Sequence, residues 1–243
     1  MRIRAFSKRC ATELVRDPLT VIFGIGFPVV LLLLLSLIQS NVPVSLFAIE
    51  SLSPGIAVFG LSFLTLFSSS LIARDRESAF LERLYTTPLT PSEFILGYML
   101  PFVPIALLQS AVCYLVALVL GLQISASILL AIATVLPISL FYISLGLLLG
   151  SVLNVKQVGG ISGALLTNLS AWLSGVWFDL DLLGRPLKSF AMCLPFYHAV
   201  ELERSVLSGS LDGAGINLAV VVGYAILITV GAVLLFLRQM KKR

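Results

Sequence analysis

Few residues in this 243-residue sequence have the chemistry to make or break bonds, and they are scattered. The single histidine, His198, sits in Tyr197-His198-Ala199, and a serine, Ser162, sits among glycines in Gly160-Ile161-Ser162-Gly163. A serine hydroxyl becomes a nucleophile when a base lies within hydrogen-bond reach, so these two would have to meet in space. Cys10, Cys113 and Cys193 fall at different expected depths and build neither a disulfide framework nor a metal site. No Gly-x-x-x-x-Gly-Lys-Ser/Thr run is present, so the chain offers no P-loop for nucleotide phosphates.

The elements that carry these residues are dictated by composition. Hydrophobic residues make up 58% of the chain, 12% are charged and the mean hydropathy is +1.06, where a soluble domain carries about 25% charged residues. Lipid must therefore be part of the solvent. Six stretches reach the ~20 apolar residues that cross a bilayer: Val21–Gln39, Leu52–Ala73, Phe94–Gly121, Ile124–Gly150, Val158–Phe178 and Ile216–Leu237. The expected fold is a single all-α membrane domain over 1–243, and its first span, lacking a small-residue cleavage site, is expected to be an uncleaved anchor.

Cytoplasmic loops hold the excess of Lys and Arg. Of 16 such residues, 13 fall on the side of the two termini, and only Arg185, Lys188 and Arg204 fall on the other. Both termini are expected in the cytoplasm of a multi-pass plasma or inner membrane protein. The pI of about 9.1 points to no nucleic acid, because the cations flank apolar spans. None of the spans contains Asp, Glu, Lys, Arg or His, which argues against proton or sodium coupling through the spans. Uphill transport would then draw on a separate protein. Pro28, Pro101, Pro104 and Pro137 bend their spans, for packing or as hinges.

Two cytoplasmic segments have the pattern of docking elements. In residues 1–18, Ile3, Phe6, Cys10 and Leu14 fall on one helical side with Arg2, Arg9, Glu13 and Arg16 around them, up to Asp17-Pro18. Such a helix lies at the membrane surface, as an anchor or a docking element. The loop 74–91 opens with Arg74-Asp75-Arg76-Glu77, carries Phe80, Leu81, Leu84 and Tyr85 at helical spacing, and stops at Pro88. Its apolar knobs flanked by charge suit a groove on a partner. Thr90-Pro91-Ser92-Glu93 signals the next helix start.

This loop resembles the cytoplasmic coupling segment of ATP-binding-cassette type-2 exporter permeases. Glu77, Leu81, Glu82, Arg83, Leu84, Thr87, Pro88 and Leu89 stand at matching positions, with Ala79-Phe80 replacing the usual Gly-Thr. The entry Asp17-Pro18-Leu19 is similar too, as are Leu173-Ser174-Gly175 and Leu194-Pro195-Phe196-Tyr197-His198-Ala199-Val200-Glu201. The resemblance implies short outer-leaflet re-entrant helices in the extracellular loop 179–215. It also implies a dimer, more readily of two identical copies than of paralogues, with each copy contacting one P-loop ATPase that binds ATP and Mg2+. Glu77, Leu81, Glu82, Arg83 and Leu84 would be the contact set, and the permease would have no ATPase site or cofactor of its own. The spans' lack of charge favours an amphipathic or lipid-like substrate, such as a drug or antibiotic.

Gln109 and Asn168 are polar groups at depth that line a conduit or bond between helices. Trp172 and Trp177 fit an interfacial belt or a stacking surface, with Phe178 beside them. His198 either bonds the outer helices together or holds an outer gate with Glu201. Gly160-Ile161-Ser162-Gly163 resembles the Gly-x-Ser-Gly of rhomboid-type intramembrane proteases, which would pair Ser162 with His198. The favoured reading of these glycines is close packing through Gly159 and Gly163. A non-transporting sensor or scaffold is the remaining alternative, and it leaves the loop 74–91 without a task.

Overall fold

The structure is a computed structural model that describes residues 2–43, 47–78 and 90–241. All regular elements among these residues are helices. α1 (Arg2–Arg16) ends at Asp17, whose side chain caps α2 by accepting from the Leu19 N–H at 3.1 Å. α2 (Pro18–Ser40) contains a π-helical stretch, Ile22–Gly26. That wider turn lies just before Pro28, whose ring would clash with the carbonyl four residues earlier in a regular α-helix. α3 (Ile49–Glu77) follows. α4 runs Pro91–Met99 and, past a turn at Pro101, Phe102–Val119. Its start is the expected capping box: Thr90 accepts from the Glu93 N–H, and the Glu93 carboxylate accepts from the Thr90 N–H at 2.9 Å.

α5 (Ser127–Val152) begins three residues later than its predicted span, because Ile124–Ala126 belong to the connection. α6 is the continuous helical run 155–173: Val155–Val158, a π-helical Gly159–Leu166, and Thr167–Leu173. Residues 174–178 of the predicted fifth span leave the helix. A 3-10 turn (Leu180–Leu183), α7 (Arg185–Met192) and α8 (Pro195–Ser208) lead to α9 (Ala214–Lys241). Gly184 stands between the turn and α7 at φ +75°, a conformation that favours glycine. Among the described residues, five helices are long and apolar enough to cross a membrane: Pro18–Ser40, Ile49–Glu77, Ser92–Val119, Ser127–Val152 and Ala214–Arg238.

α3 is the axis of the bundle and is buried along most of its length. α5 lies against it backbone to backbone. A Cβ on Gly146 or Gly150 would sit 2.5 Å from the Thr65 or Ser69 carbonyl oxygen. Thr65 and Ser68 donate across this contact to the Tyr142 and Ile143 carbonyls, at 2.9 and 3.3 Å. Small residues allow this approach, which replaces an apolar driving force that lipid cannot supply. Phe67, Phe63 and Phe59, one turn apart on α3, continue the packing with Phe23 and Phe27 of α2 and with Trp177. The rim presents apolar side chains outward, among them Leu33, Leu37, Leu129, Ile226 and Leu227.

Candidate functional site

The last turn of α3 ties several helices together through polar side chains. Its four charged residues each reach a different part of the bundle. Arg74 pairs with Asp17, between α1 and α2, at 3.3 Å. Asp75 takes two hydrogen bonds from the Arg9 guanidinium of α1, at 2.6 and 2.7 Å, and a third from the Tyr98 hydroxyl of α4, at 2.6 Å. Arg76 donates to the Gly150 and Leu153 carbonyls at the end of α5, at 2.8 and 3.2 Å, where the helix dipole favours a cation. Glu77 accepts from the Val155 N–H at the start of α6, at 2.9 Å. The run of charges reads as the start of a loop in the sequence, yet all four residues are helical. They extend the helix by one turn, as far as Glu77.

α1 is docked by its apolar side. Phe6 stacks on Phe94 at 5.5 Å and meets Tyr98 edge-on at 4.8 Å, and Gly97 leaves room for its ring. Phe6, Cys10 and Leu14 are buried, so the stripe expected at the membrane surface faces protein. Asp75 is only 2% exposed, and the paired Arg9 holds its proton more tightly than an ordinary guanidinium because it donates to that carboxylate. Desolvation pushes the Cys10 thiol up to about 12. Of the predicted coupling residues, Glu77 is placed as described above. Leu81, Glu82, Arg83 and Leu84 lie outside the described residues.

At the far end of the bundle a cavity of about 440 Å³ is lined by Trp177, Phe178, Asp179, Lys188, Glu201 and Arg204, among others. The structure thus brings together three of the predicted pathway residues: Trp177, Phe178 and Glu201. Arg204, which is not among the predicted site residues, closes one wall. It pairs with Glu201 at 3.1 Å and donates to the Gly175 carbonyl at 2.9 Å and the Ser51 carbonyl at 3.4 Å. Lys188 pairs with Asp181.

The other predicted residues lie elsewhere. Gln109 is buried between α3 and α4, donating to the Ala57 carbonyl at 3.2 Å. Asn168 bonds the Ala164 carbonyl of its own helix at 2.7 Å, and Trp172 is 55% exposed on the same α6. His198 is held at both nitrogens: Nε2 donates to the Met192 carbonyl at 2.8 Å, and Nδ1 meets the Asn217 carboxamide at 2.7 Å. It staples α8 to α7 and α9 and makes no bond to Ser162. The Ser162 hydroxyl is buried without a hydrogen-bond partner, so nucleophile and base are not assembled. Gly163 packs on Leu66, but Gly159 and Gly160 face open space, so the expected glycine packing is only half made within this chain.

One acidic side chain outside the predicted site residues is buried. Glu203 is fully buried; Tyr114 of α4 donates to its Oε2 at 2.7 Å, and Thr134 Oγ1 of α5 lies 2.9 Å from Oε1. Burial pushes this carboxyl up to about 8, with the two hydroxyls pulling the other way. Its signal was legible: Phe196, Ala199, Val200, Glu203 and Val206 form the buried stripe of α8 at helical spacing. Among the described residues, no group of three or more His, Cys, Asp or Glu gathers as a metal site.

None of the curated proteins compared with the chain matches it. The sequence model of the ABC-2 type transporter family matches residues 1–207, from α1 through α8. A bundle of apolar helices bound at one end by a charged turn fits that match, and the chain belongs to the ABC-2 type transporter family, a membrane-embedded transport permease.

Proposed function

We propose that the chain is the permease half of an ATP-binding-cassette exporter. It moves an amphipathic or lipid-like substrate outward with energy from a separate P-loop ATPase that binds ATP and Mg2+. The observation that carries this reading is the turn Arg74–Glu77, which ties α1, α2, α4, α5 and α6 to the base of the segment 79–89. A push on that segment is felt by five other helices at once. Leu81, Glu82, Arg83 and Leu84 supply the contact with the ATPase.

In this reading α6 is the fifth of six spans. Its run 155–173 is about 28 Å long at helical rise, close to the ~30 Å hydrocarbon core. The α1 end faces the cytoplasm of a plasma or inner membrane, where 13 of the 16 cations gather. α7 and α8 then sit in the outer leaflet, and the cavity at Trp177, Glu201 and Arg204 is the outward exit. Gly159, Gly160 and Asn168 are exposed on one side of α6 and suit close approach by a second, identical copy.

The test is transport of amphipathic fluorophores by proteoliposomes holding the chain and its ATPase. ATP-dependent movement that Glu82→Ala or Leu84→Asp abolishes, while ATP hydrolysis continues, supports the reading. Movement of small hydrophilic ions alone, or normal transport in both variants, contradicts it.

A further inference from the structure

Glu203 is the buried acid that the transport mechanism does not use. The second buried acid among the described residues, Asp75, has Arg9 opposite it; Glu203 has no cation within ion-pair distance. An unpaired carboxylate is costly in an apolar interior, and such groups keep their proton instead. The hydrogen-bond geometry accommodates that proton. The Thr134 hydroxyl has one proton to give and also lies 2.8 Å from the Ala131 carbonyl. When Glu203 is neutral, its O–H donates to Thr134 Oγ1, Thr134 donates to Ala131, and Tyr114 donates to Glu203 Oε2. Each proton then has one acceptor. On ionisation Thr134 must give up Ala131, and two neutral hydroxyls are left to hold a full charge.

The surroundings offer little compensation. α4 contributes Tyr114. The titratable group of α5 is Tyr142, which bonds Ser170. α9 contributes Tyr224, spent on the Cys193 carbonyl, and α6 contributes no charged group on this side. α3 carries only the exposed Glu50 at its near end. Lys188 of α7 is paired with Asp181, and Arg185 is exposed. On α8 itself His198 is held by α9, and Arg204 turns away to Glu201, Ser51 and Gly175.

We propose that Glu203 is a proton-binding site that clamps α8 onto α4 and α5 when neutral and loosens it when the proton leaves, so that the far end of the bundle responds to pH. The sign follows from burial. The folded carboxyl binds its proton more readily than a solvated one with an ordinary value of 4.5. The clamp is therefore strongest below that value, and its hold is lost as pH rises to about 8.

The test is hydrogen exchange, by mass spectrometry, of the peptide 195–208 in the full-length protein in nanodiscs. Wild type and Glu203→Gln are compared at each pH, which cancels the intrinsic pH dependence of exchange. The expected wild-type to variant ratio rises by close to tenfold per pH unit from about pH 6 to 8, then levels off. A ratio that does not change with pH overturns the proposal. Tyr114→Phe, which keeps the ring packing but removes a donor to the carboxylate, moves the plateau to higher pH when exchange is referenced to intrinsic rates. An unmoved plateau overturns the proposal even if Glu203→Gln does not fold.

Discussion

Arg9 and Asp75, 66 residues apart in the chain, are joined by two hydrogen bonds of 2.6 and 2.7 Å, and a third donor, Tyr98, closes on the same carboxylate. The arrangement is one planar fork on a carboxylate that is almost entirely out of water. It fixes α1 to the end of the central helix and to the first turns of α4. Any rotation of the Arg74–Glu77 turn must carry α1 with it or break the pair.

Arg9→Ala strands the Asp75 charge and is expected to cost roughly 3 kcal/mol, the scale for removing one partner of a buried ion pair. Thermal unfolding in detergent reads the loss. Arg9→Lys retains the charge but not the fork, and should fall between wild type and alanine. Equal melting temperatures for all three would remove the pair from any structural role.

The thiols report on the same docking. Cys10 and Cys113 are buried and Cys193 is exposed, and desolvation keeps the Cys10 thiol protonated at neutral pH. A maleimide is therefore expected to modify one cysteine per folded chain, Cys193, and all three after denaturation. In Arg9→Ala, Cys10 becomes the second site as α1 lifts. Rapid labelling of Cys10 in the wild type would contradict the docked position of α1.

Glycines that look alike in the sequence are expected to differ sharply. Gly146→Ala drives a methyl group into the backbone of α3 and should cost about 1–3 kcal/mol, the overpacking scale. Gly159→Ala meets nothing within the chain and should leave the melting temperature of the monomer unchanged. In the proposed dimer it should weaken self-association, which sedimentation or single-molecule photobleaching in nanodiscs would detect. A Gly159→Ala protein that melts as early as Gly146→Ala would sink the distinction.

The contrast shows what the sequence made legible. Hydropathy located five long helices because apolar length is a local property. Thr90 and Glu93 announced the start of α4 because a capping box acts over three residues. The stripe Phe6, Cys10, Leu14 was equally plain, but its partner was not: that Phe94 and Tyr98 cover it depends on contacts across the chain. The polar run Arg74–Glu77 read as loop because its charges find partners only in other helices. Glu203 was missed for a related reason. Counting charges by segment put it in a loop, whereas the i+2 offset from Glu201 turns it to the opposite, buried face of α8. Gly146 and Gly150 went unremarked beside Gly159 and Gly163, though the first pair makes the tight contact. Small residues mark a possible approach without naming the neighbour.

Contact between the segment 79–89 and an ATPase is read directly by site-specific photocrosslinking in native membranes. A photoreactive residue is placed at position 82 or 84, and for comparison at exposed Leu182 on the loop at the opposite end. A coupling role for this segment predicts a crosslink from 82 and 84 to a P-loop ATPase, sensitive to bound nucleotide, and none from 182. Crosslinks to the ATPase from 182, or none from either 82 or 84 in a membrane where that ATPase is present, would contradict it.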